Sequence, residues 1–228
     1  MDEHRSISGY YRYKSVLNDI ISHEQYIELR EYALQKGISL SDFKEFTGDI
    51  RDIKEIIDKI EIVSQDFPRI VDKRHHVILG LHYEDSEEFA GTESNKITLN
   101  GIFYNDTVIT AAYEEKMSQG YFVYGTSWKD IIYHELGHVV SNIYRVNSLE
   151  IAMNLMHTKL RAEVAEYVAQ NVSLYAARNY ESILSGRMEF DGSEIIAECF
   201  CAYYGGTENI FAESFVKECM KFCKEVES

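Results

Sequence analysis

The sequence predicts an α+β fold: a small mixed or antiparallel sheet packed on a helical core, with a helical extension at its N-terminus. Three observations carry this expectation. The first 67 residues read as helices, the stretch from 77 to 124 holds short β-compatible runs, and every long pattern after Ser127 is helical again. Strands gathered before a block of helices fit α+β better than alternating β/α units.

In the N-terminal part, Ile53, Ile56, Ile57, Ile60 and Val63 recur at three- and four-residue spacings and form one apolar helix face. Ser41-Asp42 and Asp49 read as helix starts. Asp66-Phe67-Pro68 contains the only proline and is the best candidate boundary. It divides the chain into a helical segment, 1–70, and a second domain, 71–228. In that second part Val77–Leu81, Lys96–Tyr104 and Tyr121–Tyr124 read as strands. Asn100-Gly101 is also a hairpin turn signal, so the middle run can fold as strand-turn-strand. Ser127 is an N-cap, with Asp130 in the capping-box position three residues on. A helix then spans Trp128 to Tyr144, with Ile131, Ile132, Leu136, Val139, Val140 and Ile143 as its buried face. A long helical pattern from Leu149 to Tyr175 follows, then two helices near 194–205 and 208–225.

Composition narrows the function classes. The chain has 228 residues, 45% of them hydrophobic, which suffices for a real core. Against 38 acidic residues stand only 23 Lys and Arg, a formal charge of −15. That excludes a basic nucleic-acid footprint and disfavours an anionic membrane surface. The N-terminus Met1-Asp2-Glu3-His4-Arg5 is polar, with no signal-peptide pattern, and no apolar run is long enough to span a membrane. Four cysteines, Cys199, Cys201, Cys219 and Cys223, cluster near the C-terminus, so they give no domain-wide disulfide framework. Reduced thiols in a cytoplasm are expected, with non-classical secretion left open. Cys219 and Cys223 are one helical turn apart, the spacing of a metal pair but also of two small core residues.

The motif that carries chemistry is His134-Glu135-Leu136-Gly137-His138. A spacing of four puts both imidazoles on one helix face, one turn apart, where two ring nitrogens can bind one Zn²⁺. Glu135 points elsewhere and can serve as general base toward a water held by the metal. The motif makes the helical core one of zincin type. A metzincin would need glycine at 141 and histidine at 144. Ser141 and Tyr144 exclude that class.

A catalytic zinc needs a third protein ligand. The candidates are Glu150, Glu163, Glu166, Glu194 and Glu198, with His157 a non-glutamate rival. Glu163 and Glu166 have polar neighbours and read as a solvated face. Glu194 and Glu198 share one face of the strongly apolar helix Glu194-Ile195-Ile196-Ala197-Glu198-Cys199-Phe200, where a carboxylate is costly unless paired or on a metal. One can ligate, and the other can accept a hydrogen bond from a ligating imidazole. Glu194 is the first choice as ligand and Glu198 the second. Glu194 can instead be a capping residue paired with Asp191.

The combination resembles the catalytic-domain family of anthrax lethal factor and its prophage-encoded relatives, which are gluzincin-like metallopeptidases. That family pairs an H-E-x-G-H helix with a downstream E-x-x-A-E-x-F helix, matched here by His134–His138 and Glu194–Phe200. It also carries S-x-Y-[AG]-x-x-N, matched by Ser173-Leu174-Tyr175-Ala176-Ala177-Arg178-Asn179. Lys129-Asp130-Ile131-Ile132-Tyr133, leading into His134, is similar too. The resemblance covers about residues 76–215. It implies zinc on His134, His138 and Glu194, water activation by Glu135, and Glu198 supporting a ligand. It also implies Tyr175 as a hydroxyl donor to the oxyanion or leaving amine, and an extended peptide or protein substrate along a strand edge. The chain departs from the family at residues 180–193, which intervene before the glutamate helix. This insertion leaves Tyr180 as a rival for the place of Tyr175. The resemblance also leaves room for a second class: a metal-binding structural or regulatory module of prophage origin that keeps the zincin fold without turnover. Oligomeric state is not legible in the sequence.

Overall fold

A computed structural model describes residues 20–84, 86, 88–104, 106–177 and 190–227. The class is α+β, with a four-stranded mixed sheet and, among the described residues, eight α-helices. Helix α1, His23–Gln35, starts at Ser22 through a capping box with Gln25. Where Ser41-Asp42 read as a helix start, the chain instead forms strand β1, Ser39–Ser41, and one 3₁₀ turn, Phe43–Glu45. Asp42 enters that turn with φ of 65°, an Asp-tolerant left-handed conformation. Helix α2, Ile50–Asp66, is capped by the Asp49 side chain on the Arg51 N–H, and Ile53, Ile56, Ile57, Ile60 and Val63 are all buried. It stops at Phe67, and Pro68 opens a 3₁₀ turn.

Strand β2, Ile78–His82, lies parallel to both β1 and β4, Lys96–Asn100. Strand β3, Ala90–Glu93, runs antiparallel to β4 and forms one edge of the order β1-β2-β4-β3. The hairpin turn is Ser94-Asn95, with Ser94 at φ 57°, and not Asn100-Gly101. Strand β4 therefore stops at Asn100, short of the expected Tyr104. Asn100 is fully buried and spends its side chain on the backbone of residues 84, 88 and 102. The sheet takes a strand from each side of the division placed at residue 70. One apolar core runs through Leu29, Ile57, Leu79, Leu136, Phe200 and Phe215.

The expected strand Tyr121–Tyr124 is a loop following helix α3, Asp106–Ser118. Its backbone is otherwise engaged: the carbonyls of Gly120 and Tyr121 accept from the N–H groups of Leu174 and Tyr175 at 3.0 and 3.1 Å. Phe122 packs inward, stacked on Tyr113 at 4.8 Å, while Tyr124 is exposed.

Helix α4, Ile131–Tyr144, is entered through a 3₁₀ turn, Trp128–Asp130. The Asp130 carboxylate accepts from the Ser127 N–H at 2.7 Å and from its hydroxyl at 2.8 Å. Lys59 of α2 pairs with that carboxylate, and Lys129 pairs with Asp52 and Glu55 of α2. The N-terminal end of α4 is thus anchored to α2. The long helix expected from Leu149 to Tyr175 is broken into α5, Ser148–Leu155, and α6, Arg161–Asn171. His157 sits between them at φ 53°, which a continuous helix does not allow. Tyr175 then lies in a turn, not on a helix. Helix α7, Ser193–Tyr204, packs across α4, and α8, Ile210–Glu227, covers α7 with Phe211, Phe215, Val216, Cys219 and Cys223. All four cysteines are free thiols and buried, as small core residues are. No helix among the described residues is long and apolar enough to cross a membrane.

Candidate metal centre

Helix α4 presents His134 and His138 one turn apart, their ring centroids 5.0 Å from each other. Helix α7 can meet that face closely because residue 137 is glycine. A Cβ there would lie 2.7 Å from Ala197 Cα and 3.0 Å from the Ile196 carbonyl oxygen. No side chain fits in that gap, so the small residue at the second variable position of the motif sets the helix–helix distance.

The close packing brings the first turn of α7 over the two imidazoles. Glu194 Oε2 lies 3.4 Å from His134 Nε2 and 3.2 Å from His138 Nε2. Three ligands bound at about 2.0–2.1 Å in a tetrahedral arrangement stand about 3.3–3.4 Å apart. The observed separations match that spacing, so the donor set fits a single small ion. Among the described residues this is the group of His, Cys, Asp or Glu side chains whose donor atoms come together within 4.8 Å.

One turn further along α7, Glu198 is 1% exposed. Its Oε1 accepts from His134 Nδ1 at 2.6 Å, and its Oε2 accepts from the Ser173 hydroxyl at 2.6 Å. With Nδ1–H donated to a carboxylate, the His134 lone pair is left on Nε2, the nitrogen that faces Glu194. Ser173 is fixed in turn, its Oγ accepting from the Ala176 N–H at 3.0 Å. Sequence reasoning quoted Ser173 as the first residue of a motif but gave it no task.

Charge in the metal-free centre is tightly coupled. Burial alone would depress the His134 pKa, but hydrogen bonds to Glu194 and Glu198 outweigh it and push it up to about 10. Burial would raise that of Glu194, and hydrogen bonds from His134 and His138 instead hold it well below the usual carboxylate range. A cation held by these three side chains would displace the proton that the hydrogen bonds keep on His134.

Glu135 projects from another side of α4. It is 5% exposed, and its Oε2 accepts from the Thr92 hydroxyl of β3 at 2.6 Å. Neither Thr92 nor strand β3 was anticipated, because Ala-Gly-Thr-Glu carries no apolar alternation. The Tyr175 ring lies 5.4 Å from the His134 ring and 5.0 Å from the Tyr121 ring. These groups line a cleft of about 660 Å³. Its floor is His134, Glu135, His138 and Glu194. Ala90, Gly91 and Thr92 of β3 form one side, and Tyr121, Phe122 and Tyr175 the other.

The remaining candidates lie elsewhere. Glu150 accepts from the side chain of Asn147, the N-cap of α5, Glu163 bonds Thr158, Glu166 bonds Gln170, and His157 sits in the exposed α5–α6 turn. Asp191 accepts from the N–H and hydroxyl of Ser193, while Gly192 takes the N-cap position. Tyr180 and most of the insertion at 180–193 lie outside the described residues. Compared with known proteins, the chain matches no family model, no curated sequence and no solved structure.

Proposed function

We propose that the protein is a zinc-dependent metalloendopeptidase of gluzincin-like type, acting on an extended peptide or protein segment. The observation that carries this reading is the meeting of both His Nε2 atoms with one Glu194 oxygen, beside a separate carboxylate at Glu135. Two imidazoles and one carboxylate are the donor set of a catalytic zinc that keeps a position open to the cleft. When bound, zinc supplies Lewis acidity toward the scissile carbonyl and toward a water.

His134, His138 and Glu194 would hold the ion. Glu198 keeps His134 in the correct tautomer and ring orientation, and Ser173 keeps Glu198 in place. Glu135 removes the proton of the attacking water and delivers it to the leaving nitrogen. Thr92 aims the Glu135 carboxylate. Tyr175, from its place beside His134, donates its hydroxyl to the carbonyl oxygen as charge develops there, or to the leaving amine. Strand β3, whose outer edge has no partner strand among the described residues, binds the substrate backbone by strand addition.

The test combines metal analysis with cleavage of a peptide library by wild-type protein and by Glu135→Gln. The reading expects one zinc per chain in both proteins, cleavage by the wild type, and loss of nearly all hydrolysis in the variant. Stoichiometric metal with no cleavage of any library member would instead favour a metal-binding structural or regulatory module.

A further inference from the structure

A second cleft, about 520 Å³, opens at the C-terminal end of α4. Its lining includes Arg69, Arg74, His75 and Arg145, and contains no carboxylate. This is unusual in a chain of formal charge −15. Several cations elsewhere are paired: Lys36, Lys54, Lys59, Lys129 and Lys217 each hold an acidic partner. Among the described residues, Arg69, Arg74 and Arg145 form no ion pair. Arg69 lies over the Tyr144 ring, 5.1 Å from its centroid, and the Tyr144 hydroxyl is itself turned to Glu227. His75 bonds Asp72, which is not part of the lining. Three arginines thus line one opening with no ion-pair partner among the described residues, and guanidinium groups recognise carboxylates by paired N–H donors.

The cleft adjoins that of the metal centre at one residue. Asn142 lines both, and its side chain donates to the Ser94 carbonyl in the β3–β4 turn at 3.1 Å. Strand β3 and helix α4 run side by side in the same sense. Thr92 meets Glu135, and two residues on Ser94 meets Asn142. A peptide paired with the edge of β3 therefore runs past the turn and into the basic cleft. From Glu135 to Arg145 is ten residues of helix, about 15 Å at 1.5 Å each. An extended peptide spans that in about four to five residues at about 3.3 Å each.

We infer that the Arg69–Arg74–Arg145 cleft is a substrate subsite for acidic side chains, about four residues from the scissile bond. This rests on the peptidase reading and names the substrate class for it: peptides carrying a short Asp/Glu cluster to one side of the cleaved bond. The overall negative charge repels such peptides, so this cleft selects where an acidic cluster can sit.

Two measurements keep the subsite and the peptidase reading separable. First, fluorescein-labelled dodecapeptides carrying three glutamates, or three glutamines at the same positions, are titrated by anisotropy against Glu135→Gln protein. The glutamate peptide is expected to bind about tenfold more tightly, with the preference lost when Arg74→Gln and Arg145→Gln are added. Second, the glutamate cluster is walked along a peptide cleaved by the wild-type protein. KM is expected to fall about tenfold when the cluster lies about four residues from the cleaved bond, with kcat unchanged. The arginine substitutions should abolish that gain while neutral peptides are cleaved as before. If peptides are cleaved but neither glutamates nor arginines matter, the subsite is wrong and the peptidase reading stands. If binding depends on both but nothing is cleaved, the subsite stands and the peptidase reading falls. Tight binding of inorganic phosphate or a nucleotide, with no preference for the glutamate peptide, overturns the assignment to peptide.

Discussion

On the wall built from α4 and α7, polar groups are buried in fixed pairs. Glu198 uses both oxygens, Glu194 spans two imidazoles, and Gly137 lets the two helices touch. On the opposite wall, among the described residues, β3 has an unpaired edge and Gly91 has open space beside it, and Tyr121 and Tyr175 project from loops. The first wall has one arrangement available and suits holding an ion. The second keeps hydrogen-bonding capacity in reserve and suits taking up a chain of variable sequence. Substitutions on the two walls should therefore separate metal binding from turnover.

The largest effect is expected at their junction. Glu135→Gln removes the base and keeps the ligands, so kcat should drop by about 10³-fold or more while bound zinc is unchanged. Loss of zinc together with activity would mean that Glu135 belongs to the ligand wall. Next, Glu198→Gln leaves the three ligands but weakens the acceptor on His134 Nδ1. Zinc affinity, measured by competition with a chelator, should fall about 10–100-fold. A similar loss from Ser173→Ala, smaller in size, would show that the support extends through the serine.

Gly137→Ala tests the close approach itself. Its methyl has no room against Ala197, so thermal or denaturant unfolding should show a loss of about 1–3 kcal/mol, with weakened zinc binding. Thr92→Val on the strand wall should do the reverse: zinc content normal, stability nearly normal, kcat down by about tenfold from the lost hydrogen bond to a carboxylate.

The last prediction concerns acid–base linkage in chelator-treated protein. His134 is raised from about 6.5 to about 10 on folding, so its contribution is complete below pH 6.5 and is lost as pH rises toward 10. Glu194 is depressed, so its share is present above its ordinary value near 4.5 and is lost only at more acid pH. These are two views of one interaction and count once. Chelator-treated protein should lose stability between pH 6.5 and 10, whereas the zinc-loaded protein should not, because the ion has replaced the proton.

The sequence made the ligand wall far more legible than the strand wall. Helical spacing puts His134 with His138, and Glu194 with Glu198, on common faces, and a four-residue repeat survives any packing. The apolar faces of α2 and α4 were readable for the same reason. Strand β3 was not, because Ala90–Glu93 is short, polar and held in the sheet by backbone bonds alone. Tyr121–Tyr124 has strand-like composition, yet the Tyr121 and Phe122 rings are spent on the cleft wall and the Tyr121 carbonyl on the Tyr175 N–H. The break at His157 has no glycine or proline to announce it. The Arg69, Arg74 and Arg145 cleft was hidden because its members lie far apart in sequence and meet only through the fold.

The central claim is that His134, His138 and Glu194 hold one zinc ion. Zinc K-edge X-ray absorption on purified protein, alongside metal stoichiometry, tests it most directly. The account predicts one zinc per chain with two imidazole nitrogens and a carboxylate oxygen at about 2.0–2.1 Å, and a marked loss of bound zinc in Glu194→Ala. A wild-type protein that takes up no zinc, or a Glu194→Ala variant that keeps full occupancy with an unchanged spectrum, would contradict it.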